Sequence, residues 1–89
     1  MKVFILQKIG VYDYEQFSSV ELVTNDCKKA KMKYEELKKN EIKRFKNIYG
    51  DTREWIVDEN NDNTMIDIYL EGYSMDDSVK IEIVGTELN

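Results

Sequence analysis

Eighty-nine residues set the size of one domain with one modest core, because a chain this short buries roughly 60–65% of the surface its unfolded form exposes. The chain is 42% hydrophobic and 35% charged, carries a formal net charge of −5, and has one cysteine, no histidine and no proline. That composition excludes an internal disulfide, removes the commonest general base and transition-metal ligand, and fits a reducing cytoplasm.

Lys2–Ile9 reads as a first strand, with Val3, Ile5 and Ile9 on one face and Phe4 and Leu6 on the other. A strand apolar on both faces belongs inside its sheet. Its four-residue apolar run, Val3–Leu6, is too short for a secretory leader. No apolar run approaches the ~20 residues that cross a bilayer. Gly10 permits a bend, and Val11–Gln16 is either a loop or a continuation of the strand. Phe17–Val23 favours a second strand through Val20, Leu22 and Val23, against a helical alternative in which Ser18 and Glu21 form a capping box.

A helix is predicted over 25–49, with Thr24 or Asn25 as N-cap and Asp26 in the first turn. Cys27, Ala30, Tyr34 and Leu37 form its first apolar stripe. Continuing that stripe would bury Glu41, whereas Ile42, Phe45, Ile48 and Tyr49 start a new one, so a break is expected near Asn40. Gly50 ends the helix in the position where a left-handed backbone favours glycine.

Three further strands are expected at Arg53–Asp58, Thr64–Leu70 and Ser78–Val84. Glu59–Asn63 is a polar turn, Glu71–Asp77 a loop around Gly72, and Gly85–Asn89 a loose tail. Ile66, Ile68 and Leu70 alternate with Met65, Asp67 and Tyr69, and Val79, Ile81 and Ile83 alternate with Lys80 and Glu82. Such alternation marks a sheet with one covered and one wet face. The fold class is α+β, a four- to five-stranded, mainly antiparallel sheet with one long, kinked or broken helix on one face.

No motif assigns an activity. Asp58, Asn60 and Asp62 imitate the start of a calcium loop, but Asn63 and Tyr69 stand where that loop needs a glycine and a bidentate glutamate. Cys27 lacks a histidine partner and reads as a small core hydrophobe. The adjacent carboxylates Glu35/Glu36, Asp58/Glu59 and Asp76/Asp77 do not converge on one atom as acid–base pairs must. No catalytic, cofactor or metal site is expected, and the chain reads as a non-enzyme.

Charge is divided along the chain. Residues 1–27 carry a net −2, residues 28–50 a net +6 and residues 51–89 a net −9. The basic helix presents Lys28, Lys29, Lys31, Lys33, Lys38, Lys39, Lys43, Arg44 and Lys46. Eight of the nine are lysines and the whole chain is acidic, which argues against direct nucleic-acid contact, although phosphate binding by this helix remains one alternative. The acidic half supplies Asp58, Glu59, Asp62, Asp67, Glu71, Asp76, Asp77 and Glu82, with Tyr69 and Met65 beside Asp67 as apolar contacts. This set reads as a surface for a protein partner with a basic groove, charge governing approach and the aromatic supplying affinity. Self-association of basic helix with acidic sheet, giving a homodimer or a larger assembly, is the other alternative.

In size, acidity, lack of catalytic residues and its Lys, Asn, Ile and Tyr bias, the chain resembles small phage-encoded accessory proteins, including inhibitors of bacterial defence such as anti-CRISPR proteins. That resemblance implies a cytoplasmic inhibitor whose acidic surface, here residues 58–82, occupies the basic nucleic-acid channel of a nuclease.

Overall fold

The computed structural model describes residues 1–12, 14–50, 54–71 and 77–87. These form an α+β fold in which a five-stranded antiparallel sheet is covered on one face by one helix. The strands are β1 (Lys2–Tyr12), β2 (Glu15–Thr24), β3 (Trp55–Glu59), β4 (Met65–Leu70) and β5 (Asp77–Glu87), and the helix is α1 (Cys27–Tyr49). The strand order is β2-β1-β5-β4-β3, so β5 is central and β2 and β3 are the edges. Val11 and Tyr12 continue β1, and Gly85–Glu87 lie in β5 paired to Lys2–Phe4, so the tail expected to be loose is ordered sheet that far. The expected start of the third strand at Arg53, most of the loop around Gly72 and the acid Asp76 lie outside the described residues.

One face holds the core. Leu6, Ile66, Ile68, Leu70, Val79 and Ile81 project from the sheet onto Tyr34 and Phe45 of the helix, flanked by Phe17, Leu37, Ile42 and Trp55. The alternation read for β4 and β5 therefore has the expected polarity. Gly10 lies where a Cβ would sit 2.9 Å from the Phe17 ring, and its missing side chain lets that ring reach across β1. Phe17 stacks on Tyr12 at 4.4 Å.

Three expectations about the helix are corrected. The N-cap is Asp26, whose carboxylate accepts from the Lys28 amide at 2.9 Å, so the helix opens slightly later than expected. Cys27 is exposed and takes no part in the core. The helix does not break near Asn40, but runs unbroken to Tyr49. Ala30, Tyr34, Glu41 and Phe45 are all buried, so the stripe continues in phase through a carboxylate. Gly50 closes the helix with φ +48°, its amide donating to the Lys46 carbonyl at 3.0 Å. Among the described residues no helix is long and apolar enough to cross a membrane.

Candidate functional site

Burying Glu41 requires neutralisation, and the sequence supplies it from two directions. Lys8 on β1 reaches its Oε1 at 2.6 Å, and Arg44, one helical turn on, donates to Oε2 at 2.8 Å. Tyr12 adds a hydroxyl donor at 3.0 Å. The same arginine forks onto Asp77, donating to both its oxygens at 2.7 and 3.0 Å, while Tyr49 donates to Oδ2 at 2.9 Å. Its guanidinium also lies 4.2 Å from the Tyr12 ring centroid, in cation–π range. Burial pushes the Glu41 carboxyl up, but the hydrogen bonds from Lys8 and Arg44 outweigh it and hold it below the usual range. Two carboxylates facing two cations and two hydroxyls form a charge-balanced set between helix and sheet.

A second, smaller set lies further along the helix. Tyr34 donates to Glu59 at 2.7 Å, and Lys38 bridges Glu59 at 3.1 Å and Glu35 at 3.2 Å. Burial raises Glu59, but the Tyr34 and Lys38 hydrogen bonds bring it below its ordinary value. Both sets sit between helix and sheet and hold the two together.

The predicted acidic surface is thereby divided. Asp77, 5% exposed, and Glu59 are bound under the helix, and neither belongs to an open acidic face. Asp62 lies in the turn after β3, where its carbonyl accepts from Lys31, and Glu71 lies just past β4, with its amide bonded to the Glu54 carbonyl. Asp58, Asp67, Tyr69 and Glu82 do share one face, the one turned away from the helix. The basic patch divides too. Arg44 and Lys38 are engaged by buried or half-buried acids, while Lys28, Lys31, Lys39, Lys43 and Lys46 remain exposed on the helix.

Cross-strand register maps the uncovered face, because residues directly opposite point the same way. Its first row is apolar: Val23, Ile5 and Val84. The next holds Val20, Gln7, Glu82 and Met65, with the Gln7 amide hydrogen-bonded to Glu82. The third holds Ser18, Ile9, Lys80, Asp67 and Asp58. The last holds Gln16, Val11, Ser78, Tyr69 and Ile56. An apolar row at one end and a mixed row at the other thus flank a charged band of three carboxylates and one ammonium. Val20 and Val23 are 62% and 60% exposed, and Ile9 and Val84 each 40%. Across the last two rows the sheet is hollowed into an open trough of about 760 Å³.

The charged band is under electrostatic strain. Asp58 stands directly opposite Asp67, an unfavourable like-charge pair. Partial burial raises the Asp67 carboxyl, and Asp58 and Glu82 raise it further against the opposing pull of Lys80. Sequence reading found the acids of this face but not its apolar members Ile5, Ile9, Val11, Val20, Val23 and Ile56. The signal was present in β1. One helix covers one face of a sheet, so a strand apolar on both faces leaves one of them bare.

No family model matches this chain, and no curated protein and no solved structure is significantly similar to it.

Proposed function

We propose that this protein is a non-enzymatic binding module that docks a basic protein partner on the uncovered face of its sheet. The observation that carries this reading is the Asp58–Asp67–Glu82 band interspersed with exposed Val20 and Ile9 and bordered by exposed Val23 and Val84, on a face that the helix leaves bare. The exposed aliphatic side chains supply desolvated contact area, and the carboxylates steer a cationic partner and fix its orientation. A lysine or arginine seated over Asp67 would relieve the repulsion that the isolated domain tolerates there. The resemblance to phage anti-defence proteins makes the partner a nucleic-acid-handling protein such as a CRISPR nuclease, met in the host cytoplasm.

The test is affinity capture followed by titration calorimetry on the captured partner. Asp58→Lys/Asp67→Lys/Glu82→Lys abolishes binding on this reading, while Lys28→Glu/Lys39→Glu/Lys43→Glu on the opposite side of the molecule leaves it intact. Retained binding in the first variant, or loss only in the second, overturns the proposal. The second outcome would move the site to the lysine-rich helix.

A further inference from the structure

Every carboxylate of α1 is paired: Glu35 with Lys38, Glu36 with Lys33, and Glu41 with Lys8 and Arg44. The charge left over is positive. From Lys39 to Asn47 the exposed residues are Lys39, Asn40, Lys43, Lys46 and Asn47, with no carboxylate among them. Lys39, Lys43 and Lys46 make no ion pair with a described residue. At positions i, i+4 and i+7 they line one stripe, on the side of the helix away from buried Tyr34, Glu41 and Phe45. Their axial steps are about 6 and 4.5 Å. The bare face of the sheet has the opposite sign, because Lys80 leaves its band with an excess of two negative charges. One chain therefore carries a basic surface and an acidic surface on opposite sides.

We propose that the outward lysine stripe of α1 docks on the bare sheet face of a second copy, against Asp58, Asp67 and Glu82, so that the protein masks its own partner-binding surface. Sign and spacing both select the chain's own helix. Asp58 and Asp67 stand directly opposite, which sets their Cβ atoms roughly 5 Å apart, and Glu82 is the diagonal neighbour of Asp67 at roughly 7–8 Å. Three acids at these steps match three lysines at theirs, and the flexible lysine stems take up the difference. The same stems can lie along exposed Ile9 and Val20 while their ammonium groups reach the carboxylates. Helix and bare face lie on opposite sides of each copy, so two copies cannot exchange both contacts, and the stack grows unless it closes into a ring. The contact is carried by exposed charges and is weak and salt-sensitive. It rests on the reading of the bare face as a docking surface and adds regulation to it, since a basic partner must displace the second copy.

The experiment is sedimentation velocity on the full chain without any partner, at about 10 mM and about 1 M salt, where charges are screened over about 30 and 3 Å. Wild type forms species of two and more copies as concentration rises at the lower salt, and is monomeric at the higher. Asp58→Lys/Asp67→Lys/Glu82→Lys and Lys39→Glu/Lys43→Glu/Lys46→Glu are each monomeric at both, because each carries like charge on its two surfaces. Mixing the two in equal amounts restores assembly. A second measurement needs no variant: carbodiimide crosslinking of wild type at the lower salt, mapped by mass spectrometry, joins Lys39, Lys43 or Lys46 to Asp58, Asp67 or Glu82 of another copy. A wild-type monomer at both salts, assembly unchanged at the higher salt, or a mixture no larger than its components overturns the proposal, as do links between copies confined to other residues. Should a triple variant lose its fold by circular dichroism, the crosslink map decides. Self-association can fail while a foreign partner still binds the acids, so the two readings fall separately.

Discussion

The two faces of this sheet are made from the same residue types arranged to opposite ends. Under the helix, branched apolar side chains are fully buried and each carboxylate meets a cation: Glu41 has Lys8 and Arg44, Asp77 has Arg44, and Glu59 has Lys38. On the other face, Val20, Val23, Ile9 and Val84 stand 40–62% exposed, and Asp58 faces Asp67 with Lys80 alone, among the described residues of those rows, to offset three acids. The first arrangement stabilises the fold and the second does not. A surface that forgoes stability its own residue types have secured a few ångströms away is where a binding role is best sought.

The comparison breaks most visibly at Arg44. Arg44→Ala leaves Asp77 buried with, among the described residues, a tyrosine hydroxyl as its side-chain partner, and Glu41 with one cation fewer. Removing one partner of a buried ion pair costs about 3–5 kcal/mol. That loss is to be measured by urea denaturation followed through Trp55, which packs 5.8 Å from Phe45 at the covered face. A loss under about 1 kcal/mol, the range of exposed pairs, would mean the network is not buried in solution.

A matched pair of truncations comes next. Ile81→Ala on the covered face removes a side chain with no exposure and is expected to cost about 2–5 kcal/mol. Ile9→Ala, in the neighbouring strand but on the other face, is expected to stay within about 1 kcal/mol in the same denaturation assay. Equal costs would show that the second face is covered after all.

The smallest and sharpest test is pH. Glu41 and Glu59 titrate below their ordinary 4.5 when folded. Their stabilisation is therefore complete above that value and is lost as pH falls through the folded pKa. Asp67 titrates above its ordinary 3.8, so its ionisation opposes folding, and stability is lost as pH rises through its folded value. Asp67→Asn is thus expected to stabilise the protein by about 0.5 kcal/mol at neutral pH, with the gain vanishing below pH 3.8, while weakening partner binding. A neutral-pH loss of stability from this variant would remove the claim that the open face is strained.

Much of this was legible in the sequence, and the failures share one cause. Alternation in Thr64–Leu70 and Ser78–Val84 gave the strands and the correct inward faces, because a period of two is a local property. The helix does not break at Asn40, because a glutamate on an apolar stripe looks locally like a phase error and here is none. It is a buried carboxylate whose partners, Lys8 and Tyr12, lie far away in sequence. Asp77 was misplaced for the same reason: its partners on the helix cannot be found from its neighbours in the chain. Burial of a charge is decided by tertiary pairing, which local pattern does not carry. The exposed valines of β2 were assigned to a strand without a face, since nothing local says which side of an edge strand the helix will cover.

The order of the strands has a consequence for how the protein is made. β1 lies between its sequence neighbour β2 and the distant β5, and the hydrogen-bonded pair Gln7 and Glu82 is separated by 75 positions. At 5–20 residues per second, roughly 4–15 seconds of synthesis pass before β1 can meet that partner. During that interval the β1–β2 hairpin and the helix wait with their shared apolar surface open on one side, the condition in which nascent chains seek wrong partners. Within the sheet, β5 joins the β1–β2 pair to the β3–β4 pair. A ribosome that stalls before β5 therefore releases two hairpins that share a helix but no strand pairing, not a smaller version of the sheet.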